Sequence, residues 1–185
     1  MSGSNDPDQD LIPGLMARDE AAFRRLIDRR VASVHRVAYR LLGDRHDAED
    51  VAQETFLKFW RQAETWKSEQ ARILTWLCRV ATNDCYDRLA KKKAVLPGDM
   101  PDTADERHTH GETRMIQSER WDALQRAIMQ LPDRQRAAIS LCYDEDLSQR
   151  EAALILSVSE KAYESLLVRA RRTLREIMIM EDNHV

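Results

Sequence analysis

Apolar side chains recur between residues 19 and 42 at Ala22, Phe23, Leu26, Ile27, Val34, Val37, Ala38 and Leu41. Steps of three and four predict a helix with one inward stripe. Gly43 follows in the place where a helix commonly stops in the left-handed conformation. A second helix is predicted over 46–63, with Ala48, Val51, Ala52, Thr55 and Phe59 turned inward. Asp47, Glu49 and Asp50 stand in its first turn, where the helix dipole favours anions. Residues 64–71 are polar and predict a loop. A third helix follows over 72–93, with Leu74, Leu77, Ala81, Cys85 and Leu89 inward.

The periodicity then stops. Residues 94–117 contain two Pro, two Gly and scattered acids, which predicts a linker. Short helices are predicted over 118–130, over 133–143 with Pro132 at the first helical position, and over 149–156. Ser148 and Glu151 have the spacing of a capping box. Ser157 and Val158 predict a tight turn, and Ser159 caps a last helix over 160–180. The fold class expected is all-α. Two small helical domains, 1–96 and 118–185, are joined by an acidic linker at 97–117, and the second contains a helix-turn-helix.

The polar faces hold the candidate chemistry. On the last helix Ala162, Tyr163, Leu166, Leu167, Ala170 and Leu174 fall on one side. Lys161, Glu164, Ser165, Val168, Arg172 and Arg175 fall on the other. A valine can touch a thymine methyl, and a glutamate can accept from cytosine N4. The competing reading is a solvated helix whose arginines complement its dipole. Glu160 is simply a first-turn partner of that dipole.

The second helix carries a further stripe of Asp50, Gln53, Leu57 and Trp60. Trp and Leu rimmed by polar groups read as a protein-docking face. The alternative is Trp60 packed on its neighbouring helix. The third helix has Trp76, Arg79, Asn83 and Tyr86 in a row, ending at Lys91, Lys92 and Lys93. Aromatic rings interleaved with amide and cationic groups suit unstacked bases and phosphates. The alternative places both rings in the core.

Composition narrows the partners. The chain has 185 residues, 33% charged, with a formal net charge of −3. Residues 1–96 hold 17 Lys and Arg against 15 Asp and Glu, and residues 131–185 hold 8 against 10. Bulk electrostatics alone would bind DNA weakly, because that attraction scales with the phosphates neutralised. The polar, acidic N-terminus predicts no signal peptide, and no stretch predicts a membrane span. Cys78, Cys85 and Cys142 form no C-x-x-C pair, and His108 and His110 lack a third ligand, so no metal, cofactor or disulfide is expected. No phosphate loop or nucleophile elbow is present, which points away from an enzyme. The expected compartment is the cytoplasm.

Three stretches in order carry a family resemblance. "DAEDVAQETFLKFWR" (47–61) and "TWLCRVATNDCYDRLAKKK" (75–93) resemble region two of bacterial RNA polymerase sigma factors. "LPDRQRAAISLCYDEDLSQREAALILSVSEKAYESLLVRARRTLRE" (131–176) resembles region four. Size and layout resemble the extracytoplasmic-function (ECF) class. The resemblance implies promoter-specific transcription initiation with core polymerase, bound at the β′ coiled coil and β flap, under anti-sigma control of a stress or envelope-response regulon. It implies polymerase docking by Asp47, Asp50, Gln53, Glu54, Leu57 and Trp60. It implies proximal promoter contacts by Trp76, Arg79, Asn83, Tyr86, Arg88, Lys91, Lys92 and Lys93, with loop 64–71 capturing a flipped base. It implies distal promoter contacts by Ser159, Lys161, Glu164, Ser165, Val168, Arg169, Arg171 and Arg172. The linker matches a segment threading toward the RNA exit path. Lys161-Ala162-Tyr163 stands where many members have Gly-Thr-Val, and Glu164 where they have a base, so sequence preference does not carry over. Two other readings are a sigma-like decoy that sequesters an anti-sigma factor, and an independent helix-turn-helix repressor.

Overall fold

A computed structural model describes residues 6–67, 71–95, 121, 123–144 and 146–182. Among these, every regular element is helical. In chain order they are α1 (Ile12–Met16), α2 (Glu20–Leu42), α3 (Arg45–Gln62), α4 (Ile73–Val95), α5 (123–129), α6 (Asp133–Cys142), α7 (Gln149–Ile155) and α8 (Glu160–Asp182). The predicted linker at 97–117, with His108 and His110, lies outside the described residues.

Local chemistry sets most helix ends. Asp19 accepts from the Ala21 N–H at 2.8 Å to start α2, and Asp44 accepts from the Asp47 N–H at 2.8 Å to start α3. Gly43 ends α2 at φ 70°. A Cβ there would also lie 2.8 Å from Met129 Sδ, so glycine serves both the left-handed turn and the approach of α5. Both halves of the Ser148–Glu151 capping box form at α7. Pro132 is the N-cap of α6, one position before the predicted one.

The N-terminus differs from its sequence reading. Residues Gln9–Leu11 form a 3-10 turn leading into α1, and Leu11, Ile12 and Leu15 are buried. Five residues are too few to register a helical period. Asp8 is also buried and pairs with Arg30 of α2 at 2.8 Å.

Helices α2, α3 and α4 enclose the first core. The predicted inward stripes of α3 and α4 are all buried. Helices α5 to α8 form the second domain. Ala152, Ala153 and Ile155 of α7 are buried, as are Leu167, Ala170 and Leu174 of α8. Tyr163 is fully buried and its hydroxyl donates to the Ala138 carbonyl at 3.1 Å. Ala162, assigned inward by periodicity, is exposed instead, because the larger Tyr163 takes the inward position beside it.

The two domains lie against each other, with their buried apolar residues in one cluster and polar links around it. Arg136 of α6 donates to the carbonyls of Leu41 (2.9 Å), Met129 (2.6 Å) and Leu131 (3.0 Å). Arg40 donates to the Ser140 carbonyl at 3.1 Å, and Gln125 donates to that of Tyr39 at 3.2 Å. Ion pairs join Arg30 to Asp146 (2.6 Å), Arg72 to Glu151 (3.1 Å) and Lys93 to Asp133 (2.7 Å).

Candidate functional site

On α3 the inward stripe leaves Asp50, Gln53, Glu54 and Leu57 exposed together. Leu57 is 53% exposed, an apolar side chain with acids and an amide around it. Trp60 is different. It stacks on Phe23 of α2 with centroids 4.5 Å apart, the Arg18 guanidinium lies 4.7 Å over its ring, and Arg18 donates to its carbonyl. Trp60 is thus half-buried against α2, and the fully exposed part of the stripe ends at Leu57.

The α4 residues divide among three surroundings. Arg79 and Asn83 are exposed on one face. Trp76 borders that face but leans on Phe59 (5.6 Å) and Trp66 (6.2 Å) in an aromatic cluster. Trp66, itself 5.3 Å from Phe59, caps a 3-10 turn at Ala63–Thr65, where the sequence predicts a loop over 64–71; one aromatic in a polar stretch has no period to mark it. Tyr86 is half-buried beside α6, and burial pushes its hydroxyl up to about 12. Lys91 is exposed.

Arg88 and Lys92 turn to α3. Arg88 reaches Asp47 at 3.3 Å, Asp50 at 3.8 Å and Glu54 at 3.1 Å, and Lys92 reaches Asp47 at 2.6 Å. At about 100° per residue they lie well away from the Asn83 face. The Lys92 hydrogen bond is the main reason Asp47 is held below its usual carboxylate range. The residues expected to follow a DNA backbone thus order the acids expected to dock protein.

In the second domain, α7, the Ser157 turn and α8 form the helix-turn-helix. Ser157 takes φ 54° and the Val158 N–H returns to the Ala153 carbonyl at 3.0 Å. The Ser159 hydroxyl accepts from the Ala162 N–H at 3.2 Å, capping α8. A groove of about 530 Å³ is lined by Ser159, Lys161, Ser165 and Arg169 of the predicted set, together with Arg134 of α6. The sequence reading did not single out Arg134, since only the tertiary fold brings α6 alongside α8. Glu164 and Val168 are exposed one row around the helix, with Val168 at 67%. Arg172 pairs with Glu176 at 2.9 Å, and Arg171 turns toward Cys142.

No group of three or more metal-ligating side chains converges among the described residues. Cys78 and Cys85 are buried, and burial pushes both thiols up, Cys85 to about 12. They behave as small apolar residues. No helix among the described residues is long and apolar enough to cross a membrane.

Comparison with known proteins gives a consistent result. The Sigma-70 region 2 family model matches residues 26–95, and the Sigma-70, region 4 model matches residues 121–174. The chain is similar to the ECF RNA polymerase sigma factor SigW of Bacillus subtilis, 30% identical across 85% of this chain and 89% of the relative. It is similar to the ECF RNA polymerase sigma factor SigM of Mycobacterium tuberculosis, 32% identical across 92% of this chain and 84% of the relative. Its fold resembles the sigma factor RpoE solved in complex with the anti-sigma factor NepR from Bartonella quintana. That likeness has a TM-score of 0.68 at 22% identity over 84% of this chain and 96% of the other.

Proposed function

We propose the following role for this chain, which belongs to the ECF class of bacterial RNA polymerase sigma factors: it binds core polymerase through α3 and brings two promoter-reading surfaces to DNA. The observation that carries this reading is the pairing of two faces on one chain. The first domain presents Asp50, Gln53, Glu54 and Leu57 open to solvent, and the second presents a capped helix-turn-helix with a cationic groove. A stripe of acids, an amide and one leucine suits a helical partner surface such as the β′ coiled coil, with electrostatics setting register and on-rate. Contact with the β flap is assigned to the second domain.

On α4, Arg79 and Asn83 are the open groups for the proximal element, with Trp76 and Trp66 beside them. On α8, Lys161, Ser165 and Arg169 hold backbone, while Glu164 and Val168 read base edges. The modest charge of α8 suffices, because polymerase supplies the remaining affinity. The chain acts in the cytoplasm as a regulator of transcription rather than as an enzyme. An anti-sigma factor is its proposed regulator, supported by the fold shared with a chain solved bound to one.

Reconstituted transcription tests this. Core polymerase with the full chain initiates from promoters of its own genome, and Leu57→Ala with Gln53→Ala reduces holoenzyme formation while leaving the fold intact. Absence of initiation from every promoter overturns the reading.

A further inference from the structure

Helices α1 and α2 both end in a left-handed residue. After α2 it is Gly43, at φ 70°, and after α1 it is Arg18, at φ 61°. The turn at Arg18 is closed by two backbone bonds. The Asp19 N–H returns to the Gly14 carbonyl at 2.9 Å, and the Arg18 N–H returns to that of Leu15 at 3.1 Å. This is the helix end that glycine most often fills. Glycine would make both bonds without the crowding that a Cβ meets at positive φ. The turn therefore asks nothing of a side chain at position 18.

That side chain leaves its own turn and lies along the end of α3. Its Nε is 2.8 Å from Glu64, and one Nη donates to the Trp60 carbonyl. The guanidinium carbon stands 4.7 Å over the Trp60 ring, which itself stacks on Phe23. Even so, 38% of the Arg18 side chain stays open to solvent. Trp60 follows Leu57 by three residues, one turn along the same face. A guanidinium seated on the indole thus takes the place that periodicity gives to Trp60, at the end of the Asp50, Gln53 and Leu57 stripe. The stripe runs from carboxylates through an exposed leucine to a fixed cation. The region 2 match begins at residue 26, so this cation comes from a segment ahead of it.

We propose that Arg18 is a docking residue of the polymerase-binding face: its guanidinium, held on Trp60, receives a carboxylate from the core-polymerase helix whose apolar side chain covers Leu57. The proposal rests on the reading of α3 as the docking face. A planar fork already stacked on a ring loses little freedom when it takes up a carboxylate. Opposite charges at the two ends of the stripe also fix which way the partner helix lies, because the reversed helix would bring like charges together.

Arg18→Gly tests this, since glycine suits the left-handed turn and the change removes the guanidinium. The full chain, carrying one fluorophore, is titrated with core polymerase at several salt concentrations and melted separately. Arg18→Lys and Leu57→Ala are measured beside it. Arg18→Gly is expected to keep its melting temperature and to bind about fivefold more weakly at low salt, with the deficit closing as salt rises. Arg18→Lys recovers part of the loss, because it keeps the charge without the fork. Normal binding by Arg18→Gly beside weak binding by Leu57→Ala overturns the role of Arg18 and leaves α3 as the docking face. Normal binding by both removes the α3 reading and this proposal with it. A melting temperature that falls in step with affinity also overturns the proposal, since Arg18 then serves only as a cation capping the C-terminal end of α3.

Discussion

Phe59 and Arg136 sit at two junctions of this molecule that are held in different ways. Phe59 lies where α3 meets α4, fully buried, with its ring against Trp66 and Trp76. Arg136 lies where α6 meets α2, 6% exposed, with its guanidinium on three carbonyls. The first junction is apolar and gains from every contact kept from water. The second adds buried polar links to an apolar contact that runs on from the first domain's core, and those links can exchange protein partners for water at modest net change only where water reaches them. An apolar core holds the first junction, whereas the second, the seam between the domains, also depends on polar groups being satisfied across it.

The largest test of that contrast is Phe59→Ala. It should cost about 3–5 kcal/mol and unfold the first domain cooperatively, as read by denaturant titration. A loss below about 1 kcal/mol would mean the α3–α4 junction is not core. Arg136→Gln should come next, at about 2–3 kcal/mol, because its guanidinium satisfies buried carbonyls. Here the loss should appear first as separation of the domains, before either melts. Loss of both domains in one transition would show the seam to be as obligatory as the core.

Trp60→Ala sharpens the boundary between packing and docking. With Phe23 stacked on the ring and Arg18 over it, about 2 kcal/mol of stability should be lost, less than for a fully buried aromatic. Weakened polymerase binding with unchanged thermal stability would return Trp60 to the docking face.

The smallest effect is acidification. Burial opposes ionisation of Glu151, but its bonds to Ser148 and Thr75 and the Arg72 charge outweigh that and hold its carboxyl below the ordinary 4.5. Its contribution is therefore complete above that pH and fades as pH falls through the lower folded value. Asp8 runs the other way, since burial raises it from 3.8 despite Arg30. The seam should thus begin to loosen only below the ordinary carboxylate range, while Asp8, paired within the first domain, affects that domain's own stability and not the seam. A distance between fluorophores on the two domains that changes near neutral pH would assign the seam to other groups.

Helix positions, inward stripes and the Ser148–Glu151 cap were legible in the chain because they depend on neighbours three and four residues apart. Side-chain size and hydrogen-bond chemistry act at that range whatever the rest of the protein does. The exposed stripe Asp50, Gln53 and Leu57 was legible for the same reason, and so was the outward row of α8. The stacking of Trp60 on Phe23 and the pairing of Arg88 and Lys92 with α3 were not. Whether a tryptophan docks a partner or stacks on Phe23 depends on α2 crossing beside it, some 37 residues earlier in the chain. Whether Arg88 follows DNA or gathers Asp47 and Glu54 depends on α3 lying against that side of α4. The α1 turn with its buried Asp8, the place of Arg134 in the α8 groove and the ion pairs of the seam are likewise products of packing. Each joins residues far apart in sequence, and a charge or ring acquires its role only when a distant helix supplies the surface that desolvates it or the charge that pairs with it.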